Sequence, residues 1–359
     1  MRAVVADDSR FMRALVRKVL ESAGVRVVAE ASNGKEAVEL TLKHRPDVVI
    51  MDVVMPRMDG ITAIRRIMKA SPTPIIVFSS ITPEGSRTAI EALEAGALDV
   101  LPKPGGLPVV KDLGEVGREL LKKVKVLGRV GRLRLMVMSV RRRTAASVGV
   151  AVRKPVVSAS QVPRIAVAVA SSTGGPPALV EVFSRVEPRE LTTFFIVQHM
   201  PPYFTKSLAA RLDSVSKLRI KEAEQGEEAL PEHGYVAPGD YHMLVRMRRG
   251  KVVIELNKGP KVHSVRPAAD VTMKSVAEVF GANTVGVVLT GISEDGTEGA
   301  AEIKRREGMV IAQDEATSAV WGMPGAVVKR GLADYVLPIH EIGPMINKLV
   351  FKILRRVRT

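Results

Sequence analysis

The sequence predicts an α/β protein made of two doubly wound parallel-sheet domains in series. Three observations carry that expectation. Short apolar runs rich in β-branched residues alternate with helix-period segments along most of the chain, the pattern of successive β-then-α units on a parallel sheet. Polar and acidic residues gather directly after those runs, at the strand ends where open α/β sheets bind ligands. The length, 359 residues, exceeds one ordinary core, and a basic stretch near the middle interrupts the alternation.

Composition narrows the function classes. Hydrophobic residues make up 46% and charged residues 26%, ordinary for a globular protein. No apolar run is long enough to span a bilayer and no signal-peptide pattern opens the chain, so a cytoplasmic location is expected. Cysteine is absent, which excludes disulfides, thiolate metal sites and cysteine nucleophiles and fits a reducing compartment. Aromatics are only 4%, a poor basis for nucleic-acid stacking. The net charge of +16 is concentrated: twelve Lys and Arg and no acid lie between Leu120 and Arg164, and +16 less these twelve leaves +4 elsewhere.

In the first domain, residues 1–127, strands are expected at Ala3–Ala6, Val25–Ala29, Val48–Met51, Ile75–Phe78 and Val100–Leu101. Helical patterns fill Phe11–Ser22, Lys35–Lys43, Ile61–Ala70, Arg87–Ala95 and Lys111–Leu127. Asp7 and Asp8 follow the first strand, Asp52 ends the third, Ser79 the fourth, and Lys103 follows the fifth. Clustered carboxylates repel unless a cation or lysine offsets them, and hard oxygen ligands in this number suit Mg²⁺. A carboxylate so placed can attack a phosphoryl group and form an acyl phosphate.

This half resembles a response-regulator receiver domain, through Asp7-Asp8-Ser9, the run Met51 to Gly60, Ser79-Ser80 and Leu101-Pro102-Lys103-Pro104. The resemblance implies a flavodoxin-like fold. It implies Asp52 as phosphoacceptor, Mg²⁺ held by Asp8, Asp52 and the carbonyl of Val54, with Asp7 acting mostly through water, and phosphoryl oxygens held by Ser79 and Lys103. One departure is Val100, where receivers usually carry an aromatic switch residue.

Residues 128–163 read as a basic linker, with Arg141-Arg142-Arg143 followed by small residues and a Pro-bounded stretch from Pro155 to Pro163; the apolar run Leu133–Val140 ahead of them does not look freely solvated. Electrostatic steering towards an acidic partner is the preferred role for its charge. Salt-dependent DNA binding is the alternative, although no recognition helix is evident and no specific nucleic acid is expected.

In the second domain, residues 164–359, the strand Arg164–Val169 runs into Ala170-Ser171-Ser172-Thr173-Gly174-Gly175 and then Pro176-Pro177. That is a tight turn into a helix, whose outward N–H groups suit a phosphate or an oxyanion. Thr193–Val197 is a second strand and ends in Gln198-His199-Met200-Pro201-Pro202. A β-rich patch follows, with a hairpin of His242–Met247 and Lys251–Leu256. A helix is expected over Ala268–Phe280 and a strand over Val285–Leu289, before Thr290-Gly291-Ile292-Ser293-Glu294-Asp295-Gly296. Further β and α segments lead to a C-terminal helix over Glu341–Arg355. Ser172, His199 and Asp295 thus lie at three strand ends on one sheet edge. A serine needs an imidazole to take its proton, and the imidazole needs an acid to hold its tautomer. Spacing alone does not choose between Ser171 and Ser172.

This domain looks like the catalytic domain of chemotaxis protein-glutamate methylesterases. The resemblance lies in Ser172-Thr173-Gly174-Gly175, Gln198 to Pro202, Val236 to Asp240, Arg266 to Asp270, Leu289-Thr290-Gly291 with Asp295-Gly296, and Ala312 to Glu315 with Gly322-Met323-Pro324. It implies a Rossmann-like fold with a hairpin insertion, Ser172 as nucleophile, His199 as base and Asp295 as orienting acid. Backbone groups of Thr173 and Ile292 are implied oxyanion donors, and no cofactor is expected in the esterase site. Ala170 and Ile292-Ser293 depart from the family's usual glycine and Met-Gly.

The implied function is a phosphorylation-activated serine hydrolase. It demethylates glutamate methyl esters on methylated chemoreceptors, releasing methanol, and extends to deamidation of receptor glutamines, in chemotactic adaptation. The implied partners are the chemoreceptors and a chemotaxis histidine kinase as phosphodonor, with contact to the membrane only through the receptors. The receiver is expected to cover the active site until Asp52 is phosphorylated. A nucleotide-binding oxidoreductase is disfavoured, since no Gly-x-Gly-x-x-Gly with a later ribose-binding acid occurs.

Overall fold

A computed structural model describes residues 1–80, 82–103, 109–130 and 162–358. These fall into two compact units, one on each side of segment 131–161, and most of the expected basic linker lies outside the described residues. Among the described residues, no helix is long and apolar enough to cross a membrane.

The N-terminal unit alternates β1 (Arg2–Ala6), α1 (Arg10–Ser22), β2 (Arg26–Ala31), α2 (Gly34–His44), β3 (Val48–Asp52), α3 (Gly60–Ala70), β4 (Ile75–Ser79), α4 (Pro83–Ala95), β5 (Asp99–Pro102) and α5 (Val109–Leu127). The parallel sheet has the order β2-β1-β3-β4-β5, the flavodoxin-like order, with its ligand crevice between β1 and β3. β3 and β4 are buried along their whole length, as helices on both faces require. Helices α1 to α4 start on side-chain caps: Ser9, Asn33, Asp59 and Thr82 each accept a bond from an amide of the first turn. The Thr82 cap and a proline in the first turn begin α4 four residues ahead of the apolar period that suggested Arg87.

The C-terminal unit comprises β6 (Ile165–Ser171), α6 (Gly175–Phe183), β7 (Thr192–Gln198), α7 (Phe204–Val215), β8 (Arg219–Glu222), β9 (His233–Val236), the hairpin β10 (His242–Arg248) and β11 (Lys251–Asn257), α8 (Ala269–Phe280), β12 (Thr284–Val288), α9 (Thr297–Arg305), β13 (Met309–Gln313), α10 (Met323–Lys329), β14 (Tyr335–Leu337) and α11 (Ile339–Arg358). Its seven-stranded sheet runs β14-β13-β12-β6-β7-β9-β8, with every pairing parallel. The hairpin forms a separate two-stranded sheet. Its strands close about Arg249 and Gly250, both at positive φ, which suits the twist of a two-residue turn. α6 takes in Pro176 and Pro177 in its first turn, where no donors are needed.

Between the sheet and α8 lies a core of Phe195, Tyr235, Met273, Val276 and Phe280. Phe195 stacks with Tyr235, their ring centres 6.1 Å apart. The chain leaves β6 towards β7 and later returns as β12 on the other flank of β6. That reversal puts the crevice at the carboxyl ends of β7, β6 and β12, directly below Ser172, His199 and the loop to Asp295.

Candidate functional site

Ser171 and Ser172 have different fates. Ser171 is fully buried, and its hydroxyl donates to Gln198 Oε1 at 2.8 Å and to the Val197 carbonyl at 3.2 Å. Ser172, past the strand end, is 8% exposed, and its amide is bound by the Thr290 carbonyl. Gln198 also donates to the carbonyls of Ser172 and His199, so one buried amide ties the β6 turn to the β7 turn. Two glycines shape the turn, and the second makes room for that amide. Gly174 sits at φ 76°, and a Cβ on Gly175 would lie 2.0 Å from Gln198 Oε1.

His199 Nε2 pairs with Asp295 Oδ2 at 2.7 Å, and Asp295 is completely buried. Its carboxylate also accepts the amides of Ala269 (2.6 Å) and Asp270 (2.9 Å) at the N-terminus of α8, where the helix favours negative charge. Burial alone would raise the Asp295 carboxyl, but the bond to His199, its charge and those two amides hold it below the usual carboxylate value. With Nε2 engaged by the acid, Nδ1 is the ring nitrogen left to serve a serine.

The turn after β12 is woven into the same edge. Thr290 Oγ1 donates to the carbonyls of Thr173 and Val320, and its amide donates to Gln313 Oε1. The Ile292 amide, expected among the oxyanion donors, engages no acceptor among the described residues. The Ser293 hydroxyl accepts the Asp295 amide, so this departure from Met-Gly acts as a turn former. Ala170 fits because the residue opposite is Gly296, whose added Cβ would come within 3.3 Å of it. Gln198, Thr290 and Asp270 lay within stretches that carry the resemblance, but nothing in their spacing assigned them these tasks.

In the N-terminal unit, ligand oxygens of Asp7, Asp8 and Asp52 lie within 4.8 Å of one another. Lys103 Nζ bridges Asp7 (2.8 Å) and Asp52 (2.7 Å). Burial raises the Asp52 carboxyl; the bond and charge of Lys103 oppose it, and Asp7 adds to the rise. A set of three carboxylates with one lysine fits a hard divalent cation such as Mg²⁺. The Ser79 hydroxyl is engaged elsewhere. It donates to the Gly85 carbonyl of α4 at 3.0 Å, because the chain curls back into that helix. The Val54 side chain is exposed, while its amide donates to Asp52. Val100 is buried within β5.

Fold and sites together define a two-unit α/β hydrolase that carries a receiver. The family model for CheB methylesterase matches residues 167–346, and that for the response regulator receiver domain matches residues 3–112. A protein-glutamate methylesterase/protein-glutamine glutaminase of Pyrococcus abyssi is 47% identical over 98% of this chain and 94% of its own. One of that name from Thermotoga maritima is 42% identical over 98% of both chains. The crystal structure of the Thermotoga maritima CheB methylesterase catalytic domain matches at 45% identity with a TM-score of 0.50, covering 54% of this chain and all of that one. The chain belongs to the CheB methylesterase family. These relatives carry enzyme names, and none supports the DNA-binding alternative.

Proposed function

We propose that this protein is a phosphorylation-activated protein-glutamate methylesterase that also acts as a protein-glutamine glutaminase, and that its substrates are methylated chemoreceptors. The observation that carries the reading is the buried His199–Asp295 pair on α8's N-terminus, on the sheet edge that bears the Ser172 turn. Ser172 Oγ attacks the ester carbonyl while His199 Nδ1 takes its proton and returns it to the departing methoxide as methanol. Water then attacks the acyl-enzyme with His199 again as base, freeing the glutamate. Asp295 keeps the imidazole in the Nε2–H tautomer and stabilises its cationic form. Amides of Thr173 and Ile292 are the proposed donors to the tetrahedral oxyanion.

Control comes from the N-terminal unit. Asp52 accepts a phosphoryl group from a chemotaxis histidine kinase. Asp7, Asp8, Asp52 and the carbonyl of Val54 would hold Mg²⁺, which neutralises phosphoryl charge when bound. Lys103 would follow the phosphoryl oxygens from its place beside Asp52, joined by Ser79 once its hydroxyl leaves Gly85. Contact with the membrane is through the receptors alone, from the cytoplasmic side.

The test is methanol release from methylated receptor membranes by wild-type and Ser172→Ala protein, both with Mg²⁺ and a small-molecule phosphodonor. Release by the wild type and none by the variant is the expected result. Equal release from both would sink the nucleophile, and no release from either would sink the substrate.

A further inference from the structure

A second histidine–aspartate pair stands behind the first. His263 Nε2 meets Asp270 Oδ2 at 2.8 Å. Asp270 is 3% exposed, and its Oδ1 accepts the amides of Gly296 (2.9 Å) and Gly299 (2.7 Å) at the start of α9. The two acids therefore cap each other's helices. Asp270, on α8, caps α9, while Asp295, just ahead of α9, caps α8. Ligand atoms of His263, Asp270 and Asp295 all lie within 4.8 Å of one another. The four side chains form one line: His199, Asp295, Asp270, His263.

His263 is held in that line by a tight turn. Val262 and Val265 exchange both backbone hydrogen bonds, leaving His263 and Ser264 as the turn residues, at φ 51° and 65°. L-residues enter this region at a cost, and it suits glycine or asparagine better. The turn spends that strain on presenting an imidazole to a buried carboxylate. Burial and the charge of Asp295 push the Asp270 carboxyl up, against the Gly299 amide and His263. Another charge that feels His263, Glu298 on α9, pairs with Arg330 after α10 and feels Lys274 on α8.

We propose that His263 and Asp270 are positioning residues of the hydrolytic site, a second histidine–aspartate pair that sets, through Asp295, the charge under which His199 takes and releases its proton. This rests on the serine-hydrolase reading above and adds to it a source of control over the base. Asp270→Asn keeps the shape of the carboxylate and removes one negative charge from the line, so the cationic form of His199 loses support. His263→Gln keeps a hydrogen-bond donor to Asp270 but cannot take up a proton, so repulsion of the His199 cation by a protonated His263 is removed and the cationic form gains support. The two substitutions act with opposite sign, which a purely structural role does not predict.

The experiment is an imidazole NMR titration of the full-length protein, which has six histidines, with the His199 signal assigned through His199→Gln. Asp270→Asn is expected to move the His199 titration midpoint down and His263→Gln to move it up, each by roughly half a pH unit. The acid limb of methanol release follows in the same directions, with kcat altered and KM kept. Midpoints that stay put, that move in the same direction, or that stay put while the rate falls would each overturn the proposal. If Asp270→Asn does not fold, His263→Gln alone decides, and the absence of an upward shift refutes the pair. The NMR readout needs no ester, so shifted midpoints without methanol release would refute the esterase reading and leave the pair standing.

Discussion

Two adjacent serines show how much one side chain depends on distant partners. Both follow an apolar run, and nothing in that run says which hydroxyl is spent on structure. The answer lies at Gln198, which the chain reaches 27 residues after Ser171. Ser172→Ala is expected to cut methanol release by roughly 10⁴-fold or more. Ser171→Ala keeps the chemistry but loses a buried hydrogen-bonded hydroxyl, so it is expected to cost about 1–3 kcal/mol of stability in a denaturant titration. The reverse ranking of the two rates would move the nucleophile. Asp295 makes a pH prediction. Its carboxyl lies below the ordinary 3.8 when folded, so its ionised form stabilises the fold above that value, and the contribution is lost as pH falls through the lower folded value. Asp270, pushed up by burial, has the opposite sign: its charged form costs stability, and protonation relieves it. Asp295→Asn is therefore expected to flatten the fall in Tm below about pH 4, as calorimetry would show.

Most elements were legible because their periods and punctuation agree. Five β-then-α units in the first half, the hairpin about Gly250 and the strands bearing His199 and Asp295 all follow from apolar pattern and turn residues. The start of α4 was not legible, because a cap and a proline, rather than an apolar period, begin it. The crossed capping of α8 and α9 was hidden for another reason: acids 25 residues apart satisfy each other's helices, and no local window contains both. The turn before α6 tolerates little. Gly175→Ala drives a methyl into the Gln198 amide and breaks the tie between two strand ends. A loss of about 2–3 kcal/mol is expected, seen as a Tm lower by roughly 5–10 °C in this unit, with activity falling further than stability.

At the scale of the whole chain, the expectation concerns control. If the N-terminal unit restrains the hydrolase, residues 162–359 alone turn over faster than the unphosphorylated full chain, and a phosphodonor with Mg²⁺ closes the gap. Asp52→Asn in the full chain abolishes that response and leaves the slow rate. Equal rates from the full chain and the fragment, with and without phosphodonor, would remove the restraint. Sequence reading reached both units and the acids at their strand ends, since each acid follows its own strand. It did not reach the Asp270–His263 pair, because a histidine in a turn carries no mark of the carboxylate it meets.

The sheet order also governs when the site exists during synthesis. β6 pairs with β7 soon after both leave the ribosome, but its other edge waits for β12, more than a hundred residues later. Until then β6 offers seven residues of unpaired backbone that are wholly buried in the finished protein, the kind of edge that recruits foreign strands. Asp295 emerges later still. A nascent chain cut off at the end of β12 thus holds the proposed serine and histidine without the proposed acid, and a newborn molecule completes its site only as it becomes safe from aggregation.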